Sequence, residues 1–155
     1  MSTNILRIGT RESELARQQA HEVKDILETK NFLTELVPIK SDGDMDLTKP
    51  IYSLGIQGVF TKTLDIALLE NQIDIAVHSL KDVPTQLPQG LILGAVLKRN
   101  SARDVLVYKE KLTMNAPATI ATGSLRRKAQ WLNHYPNHKI VNLRGNVNTR
   151  MDKLK

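Results

Sequence analysis

Residues 5–40 read ILRIGTRESELARQQAHEVKDILETKNFLTELVPIK, and their patterning decides the fold class. ILRIGT (5–10) is a short apolar run with the look of a buried strand. TRES (10–13) breaks it, and Ser13 stands where a helix cap belongs. Ala16, Ala20, Val23 and Leu27 then recur at helical spacing, which predicts one apolar face through about Lys30. LTELVPIK (33–40) alternates apolar and polar residues, the period of a second strand. Strand, crossover helix and strand in so short a span make a βαβ unit, whose strands run parallel.

The same grammar continues outward. SDGDMDLTKPIYSLGIQG (41–58) carries three glycines and a proline and is expected to be a long functional loop. A helix is expected from about Phe60 to Asn71, with Phe60, Leu64, Ala67 and Leu68 on one face. A third strand, IDIAVHS (73–79), follows it, and LILGAVL (91–97) is expected to be a fourth. KRNSARD (98–104) is nearly free of apolar residues and marks a domain boundary. DVLVY (104–108) is expected to restart as a strand. ATIATGSLRRKAQWLNHY (118–135) and KIVNLRGNVNTRMDKL (139–154) each repeat strand, turn and helix. The expected fold is α/β: two lobes of mostly parallel sheet with flanking helices, residues 1–98 and 99–155.

Composition narrows the function. The chain has 155 residues, no cysteine and a net charge of +6. Without cysteine there is no disulfide, thiolate metal site or thiol nucleophile. No apolar run reaches membrane-span length and no signal peptide opens the chain, so a cytoplasmic location is the default expectation. Residues 1–99 hold 11 Lys and Arg against 13 Asp and Glu, whereas residues 100–155 hold 11 against 3. The basic second part favours an anionic partner. Aromatic residues are 4% of the chain, too few for a stacking platform on single-stranded nucleic acid. His134 and His138 are separated by Pro136 and cannot share a helical face, and His21 and His78 have no partner ligands nearby in sequence. No metal site is expected. Neither a P-loop nor a dinucleotide fingerprint is present.

In open α/β sheets, ligands bind beyond the carboxyl ends of the strands. Arg11 and Ser13 end the first strand, and the third delivers Lys81 and Asp82 side by side before Pro84. TGSLRR (122–127) places Thr122, Ser124, Arg126 and Arg127 in one βα turn. LRGNVNTR (143–150) places Arg144 and Arg150 in the next. Two cations in the first turn of a helix oppose its dipole, and an anion bound there would reverse the sign. Each feature also has a plain structural reading. The arginines could be solvated surface charges, Arg11 a partner of Glu12 or Glu14, and Asp82 an Asx turn before proline.

RIGTRES, DIAVHSLKDVP, GSLRR and LRGNVNTR, in this order and at these spacings, closely resemble the porphobilinogen deaminase (hydroxymethylbilane synthase) family of tetrapyrrole synthesis. The resemblance implies head-to-tail condensation of four porphobilinogen molecules with release of ammonia. It also implies a dipyrromethane cofactor attached through a cysteine of a third domain. The first two domains would resemble type II periplasmic binding proteins, with the active site in the cleft between them. By that resemblance Asp82 is catalytic, stabilising the azafulvene cation near the pyrrole nitrogens. Lys81, Asp82, Thr122, Ser124, Arg126 and Arg127 would bind the cofactor, and Arg11, Ser13, Arg144 and Arg150 the substrate and growing chain.

Departures from the family pattern are Ile56 and Gln57 in GIQGVF, where GGKGLF is usual, Thr63 in place of glutamate, and Gly123 where serine is frequent. The resemblance further implies that this chain lacks the rest of lobe two, the returning C-terminal segment of lobe one and the whole cofactor-bearing domain, and that it is inactive alone. The parent enzyme would be a monomer acting on small polycarboxylate pyrroles, not on nucleic acid or a membrane, whereas the fragment would self-associate. The competing function is a two-lobed binding module for a small polycarboxylate anion without catalysis.

Overall fold

A computed structural model describes residues 5–40, 61–109 and 113–154. The 41–58 loop, Gln57 and the Phe60 start of the second helix lie outside the described residues. The described residues divide into two compact units, the first ending at Lys98 and the second running from Arg99.

The first unit is built on the βαβ pattern. Strand β1 (Leu6–Arg11) leads into helix α1 (Glu14–Glu28) and strand β2 (Thr34–Ile39). Helix α2 (Lys62–Leu69) precedes strand β3 (Ile75–Ala76). The sheet order is β2-β1-β3, all parallel, with Leu6 opposite Thr34, Arg11 opposite Ile39 and Ile8 opposite Ile75. The central strand β1 therefore puts its carboxyl end, Thr10 and Arg11, between two neighbours. Ser13 caps α1, its Oγ accepting from the Ala16 N–H at 3.3 Å. The fully buried Thr10 donates its hydroxyl to the Ala16 carbonyl at 3.0 Å, pinning the strand end to the first helical turn. Both helices leave through an asparagine in the left-handed region, Asn31 and Asn71.

Leu64, Ala67 and Ile73 form the core, with Val37, Ile39, Leu68 and Ala76 packed against it. Gly9 is fixed by this packing: a Cβ there would run into Ile73 Cδ1 and lie 2.9 Å from Leu64 Cδ2. At the amino ends of β1 and β3 Arg7 and Asp74 make a two-point ion pair, at 3.0 and 2.9 Å. The Arg7 hydrogen bonds hold the Asp74 carboxyl down at about 2.

The second unit has a two-stranded parallel sheet, β4 (Thr119–Ala121) beside β5 (Lys139–Val141), with Ile120 opposite Ile140. Helix α3 (Leu125–His134) joins them and helix α4 (Val147–Asp152) follows β5. Among the described residues of this unit only His138 and Arg144 are buried. His138 is held in place structurally. Its Nδ1 accepts from Trp131 Nε1 at 3.1 Å, its Nε2 faces the Met114 carbonyl at 3.1 Å, and Tyr135 stacks on its ring.

Two expected strands do not form. Residues 91–97 and 104–108 carry no regular structure, and Ile92 and Val105 are more than 80% exposed. A strand requires a neighbour to take its N–H and C=O groups, and no described strand flanks either stretch. β3 is also shorter than the expected 73–79, although Val77 N–H still donates to the Gly9 carbonyl at 3.0 Å. Beyond it the chain turns away, and a 3₁₀ turn, Leu80–Asp82, replaces the strand.

Candidate functional site

In the first unit the carboxyl ends of β1 and β3 converge. β1 ends on Arg11, and the 3₁₀ turn after β3 presents Asp82 to it, with Arg11 NH1 4.0 Å from Asp82 Oδ2. Both side chains are about four-fifths withdrawn from solvent, at 18% and 24% exposure, so their mutual field is less screened than at an open surface. Lys81, one residue earlier, is exposed. Ser13 lies at the same edge with its oxygen engaged in capping and its O–H able to donate. Ser79 ties the end of β3 to α1 through Gln19, at 2.9 Å.

His78 joins this group, and sequence reasoning passed it over because it was weighed only as a metal ligand. Its Nε2 is buried and has no hydrogen-bond partner among the described residues. Burial pushes the imidazole below its ordinary value; Asp65 and Asp82 draw it up and Arg11 presses it down. The ring is thus neutral at pH 7, within the electrostatic reach of three charged side chains. The available signal was its place at the carboxyl end of an apolar strand, two residues past the last strand position.

In the second unit the two βα turns come together. Gly123 shows how tightly: a Cβ there would sit 2.8 Å from the Leu143 carbonyl oxygen of the other turn. A serine at this position, frequent in the family that the motifs resemble, would have to push the turns apart. Thr122 Oγ1 accepts from the Ser124 N–H at 3.2 Å, and Ser124 Oγ accepts from the Arg127 N–H at 3.3 Å, so these hydroxyls shape the turn and cap α3. The first turn of α3 contains no acidic residue, while Arg126 and Arg127 project from it. Asn146 caps α4 in the same way, accepting from the Thr149 N–H at 2.9 Å.

The charges on these turns gather. Arg144 is 7% exposed rather than a surface charge, and its carbonyl accepts from Lys153 Nζ at 3.1 Å. Arg150 donates from Nε to the Gly145 carbonyl at 2.7 Å. Burial, then the nearby charges of Arg127 and Arg144, push the Arg150 guanidinium below its ordinary value. Like charges gathered in this way favour an anion beside them. Arg127 differs from the sequence expectation of an open guanidinium, because Asp104 holds it at two points, 2.9 and 2.5 Å. Asp104 lies 23 residues away in an irregular stretch, and nothing in the sequence flags it. Arg126 is exposed on the same turn.

The structure therefore brings Arg11, Ser13, Lys81 and Asp82 together at the carboxyl edge of the first unit. Thr122, Ser124, Arg126, Arg127, Arg144 and Arg150 gather at that of the second. Among the described residues no cluster of His, Asp and Glu could hold a metal ion, and no helix is long and apolar enough to cross a membrane.

Comparison with known proteins identifies a family. The family described as "Porphobilinogen deaminase, dipyromethane cofactor binding domain" matches residues 6–155. The chain is 47% identical over 161 residues to the chloroplastic porphobilinogen deaminase of Oryza sativa subsp. japonica, covering 98% of this chain and 45% of that protein. It is 48% identical over 153 residues to the probable porphobilinogen deaminase of Methanocaldococcus jannaschii, covering 97% and 52%. The chain thus spans about half the length of the curated relatives it matches.

Proposed function

The chain belongs to the porphobilinogen deaminase family, and from that premise we propose that it carries the pyrrole-activating and carboxylate-holding turns of a hydroxymethylbilane synthase. The reaction is a stepwise head-to-tail condensation of four porphobilinogen molecules, each losing ammonia. The observation that carries the proposal is the convergence of Arg127, Arg144 and Arg150, in which burial first and then the neighbouring charges push the Arg150 guanidinium below its ordinary value. Every porphobilinogen ring brings an acetate and a propionate, and a growing chain of rings accumulates carboxylates. A site for it needs several guanidinium groups at once, each able to take a carboxylate in two parallel hydrogen bonds.

Asp82 is the group assigned to catalysis. It is a carboxylate at the carboxyl edge of the first unit, partly desolvated beside Arg11. When ammonia leaves the aminomethyl carbon, positive charge spreads over the pyrrole ring and its nitrogen. A fixed carboxylate accepting from that N–H stabilises the charge where it develops, and the same oxygen can take the ring proton afterwards. Arg11 orients Asp82 through their contact at 4.0 Å. Lys81 and Ser13 offer donors to carboxylates at the same edge, and Arg11 also serves the incoming ring.

The donor set of the second unit fits a dipyrromethane. Thr122 and Ser124 shape the turn, Arg126 and Arg127 would hold its carboxylates, and Arg144 and Arg150 would hold those of the growing chain. When bound, that group supplies the nucleophilic pyrrole carbon on which condensation begins. The chain contains no cysteine to attach it covalently, so we expect residues 1–155 alone to bind pyrrole carboxylates without condensing them. We assign residues 1–98 to a first domain and 99–155 to the first part of a second, on the pattern of type II periplasmic binding proteins. The division into units at Lys98 and Arg99 supports this assignment.

The test is a calorimetric titration of the chain with porphobilinogen and with its dimethyl ester. Binding of the free acid and loss of affinity for the ester are expected. Equal affinity for the two would overturn the assignment of the arginines to carboxylates.

A further inference from the structure

Asp104 stands in the irregular stretch after Lys98, beside Val105, which is 83% exposed. Nothing in that stretch orders it as a strand, yet its carboxylate meets Arg127 side on. Nε donates to Oδ2 at 2.9 Å and NH2 to Oδ1 at 2.5 Å. This is the two-point geometry in which a guanidinium takes up any carboxylate. The fork assigned above to a ligand is thus already filled by an acid of the chain itself.

Two features set the contact apart from an ordinary surface ion pair. The first is its surroundings. Asp104 and Asp152 are the acidic residues among the described part of the second unit, and Asp104 meets the arginine group where Arg127 presses on Arg150. It offsets part of the positive charge of this turn, that of Arg127 directly. The second is its accessibility. The Arg127 and Asp104 side chains are 49% and 63% exposed, so the pair is weakly held and another carboxylate can reach it.

We propose that Asp104 is a placeholder carboxylate, which fills the Arg127 fork in the empty site and which an incoming ligand carboxylate displaces. The inference rests on the assignment of Arg127 to a ligand carboxylate. One carboxylate replaces another, so no covalent bond changes. The hydrogen bonds from Arg127 hold the Asp104 carboxyl below its ordinary value, so it leaves as the anion and no proton moves. The device keeps Arg127 extended and ready. It also favours ligands that can replace both hydrogen bonds over those offering a single acceptor.

The test titrates porphobilinogen into the chain and into Asp104→Asn, Arg127→Gln and the double variant. Removing the competitor should tighten binding about two- to fivefold, the range of an exposed ion pair, and the gain should vanish in the Arg127→Gln background. Unchanged or weaker binding by Asp104→Asn overturns the proposal and makes Asp104 a support for Arg127. An equal gain in both backgrounds also overturns it, since the effect is then general charge. If Arg127→Gln alone binds like the unaltered chain, the assignment of Arg127 itself has failed, and that is visible from the single variant. A second measurement needs no variant. The Arg127 Nε–H resonance should shift with the Asp104 carboxyl carbon on adding porphobilinogen, and an unmoved Asp104 signal overturns the displacement.

Discussion

Arg126 and Arg127 sit on the same helical turn but in different circumstances, and replacing each with glutamine should separate two energies. Arg and Gln have nearly equal helix propensity, so the substitution changes mainly charge. In the first turn of α3 a cation opposes the dipole, at about 0.3–1 kcal/mol each. The Ser124 cap uses the Arg127 backbone N–H and survives both changes. Arg126→Gln should therefore stabilise the second unit by about 0.3–1 kcal/mol. Arg127→Gln gains the same relief but loses the two-point contact with Asp104, worth about 0.2–1 kcal/mol for so exposed a pair. Its net effect should be near zero. The assay is urea unfolding followed by Trp131 fluorescence. Trp131 is the chain's only tryptophan and lies on α3 against His138, so it reports this unit. The difference between the variants should shrink in added salt. Destabilisation by Arg126→Gln, or equal stabilisation by both, would refute the reasoning.

Other consequences are as direct. His78 should titrate below an ordinary histidine in NMR; Asp82→Asn should lower it further and Arg11→Gln raise it, because Asp82 draws it up and Arg11 presses it down. Since its folded value is depressed, the unfolded chain binds the proton more readily, and this contribution to stability is lost as pH falls through about 6.5; a His78 signal titrating above free histidine would contradict the burial. Asp74, at about 2 against an ordinary 3.8, contributes stability that is present above pH 4 and lost as pH falls from there towards 2. Asp74→Asn should flatten that limb of the acid unfolding curve and leave porphobilinogen binding unchanged. Gly123→Ala should destabilise the second unit by about 1–3 kcal/mol through the contact with the Leu143 carbonyl, measured by the same Trp131 unfolding; a neutral result would mean the two turns can separate freely.

Local pattern was enough for the elements that satisfy themselves. Ala16, Ala20, Val23 and Leu27 announced α1, and the alternation of residues 33–40 announced β2, because both pack on β1 within one short crossover. The failures share a cause. LILGAVL and DVLVY have strand composition, but composition does not supply the neighbour that takes their backbone hydrogen bonds. The same residues would read identically with a partner strand beside them. Strand length failed at β3 for a related reason: Val77, His78 and Ser79 look like strand, yet the 3₁₀ turn at Leu80–Asp82 turns the chain toward Arg11.

The site was legible wherever a charge contradicted its local element. Arg126 and Arg127 at a helix N-terminus, or Lys81 and Asp82 at the end of an apolar strand, are choices that helix and strand energetics disfavour, and such a conflict points to a ligand. Asp104 and His78 raised no conflict, because an acid in a polar stretch and a histidine near a strand end break no local rule. Their meaning comes from what lies across space: Arg127 for one, and Arg11, Asp65 and Asp82 for the other. A sequence shows where a chain tolerates unfavourable charge, and only the fold shows what offsets that charge before the ligand arrives. In the second unit Asp104 already fills the Arg127 fork, and on the displacement proposed above a ligand carboxylate would compete with the protein's own.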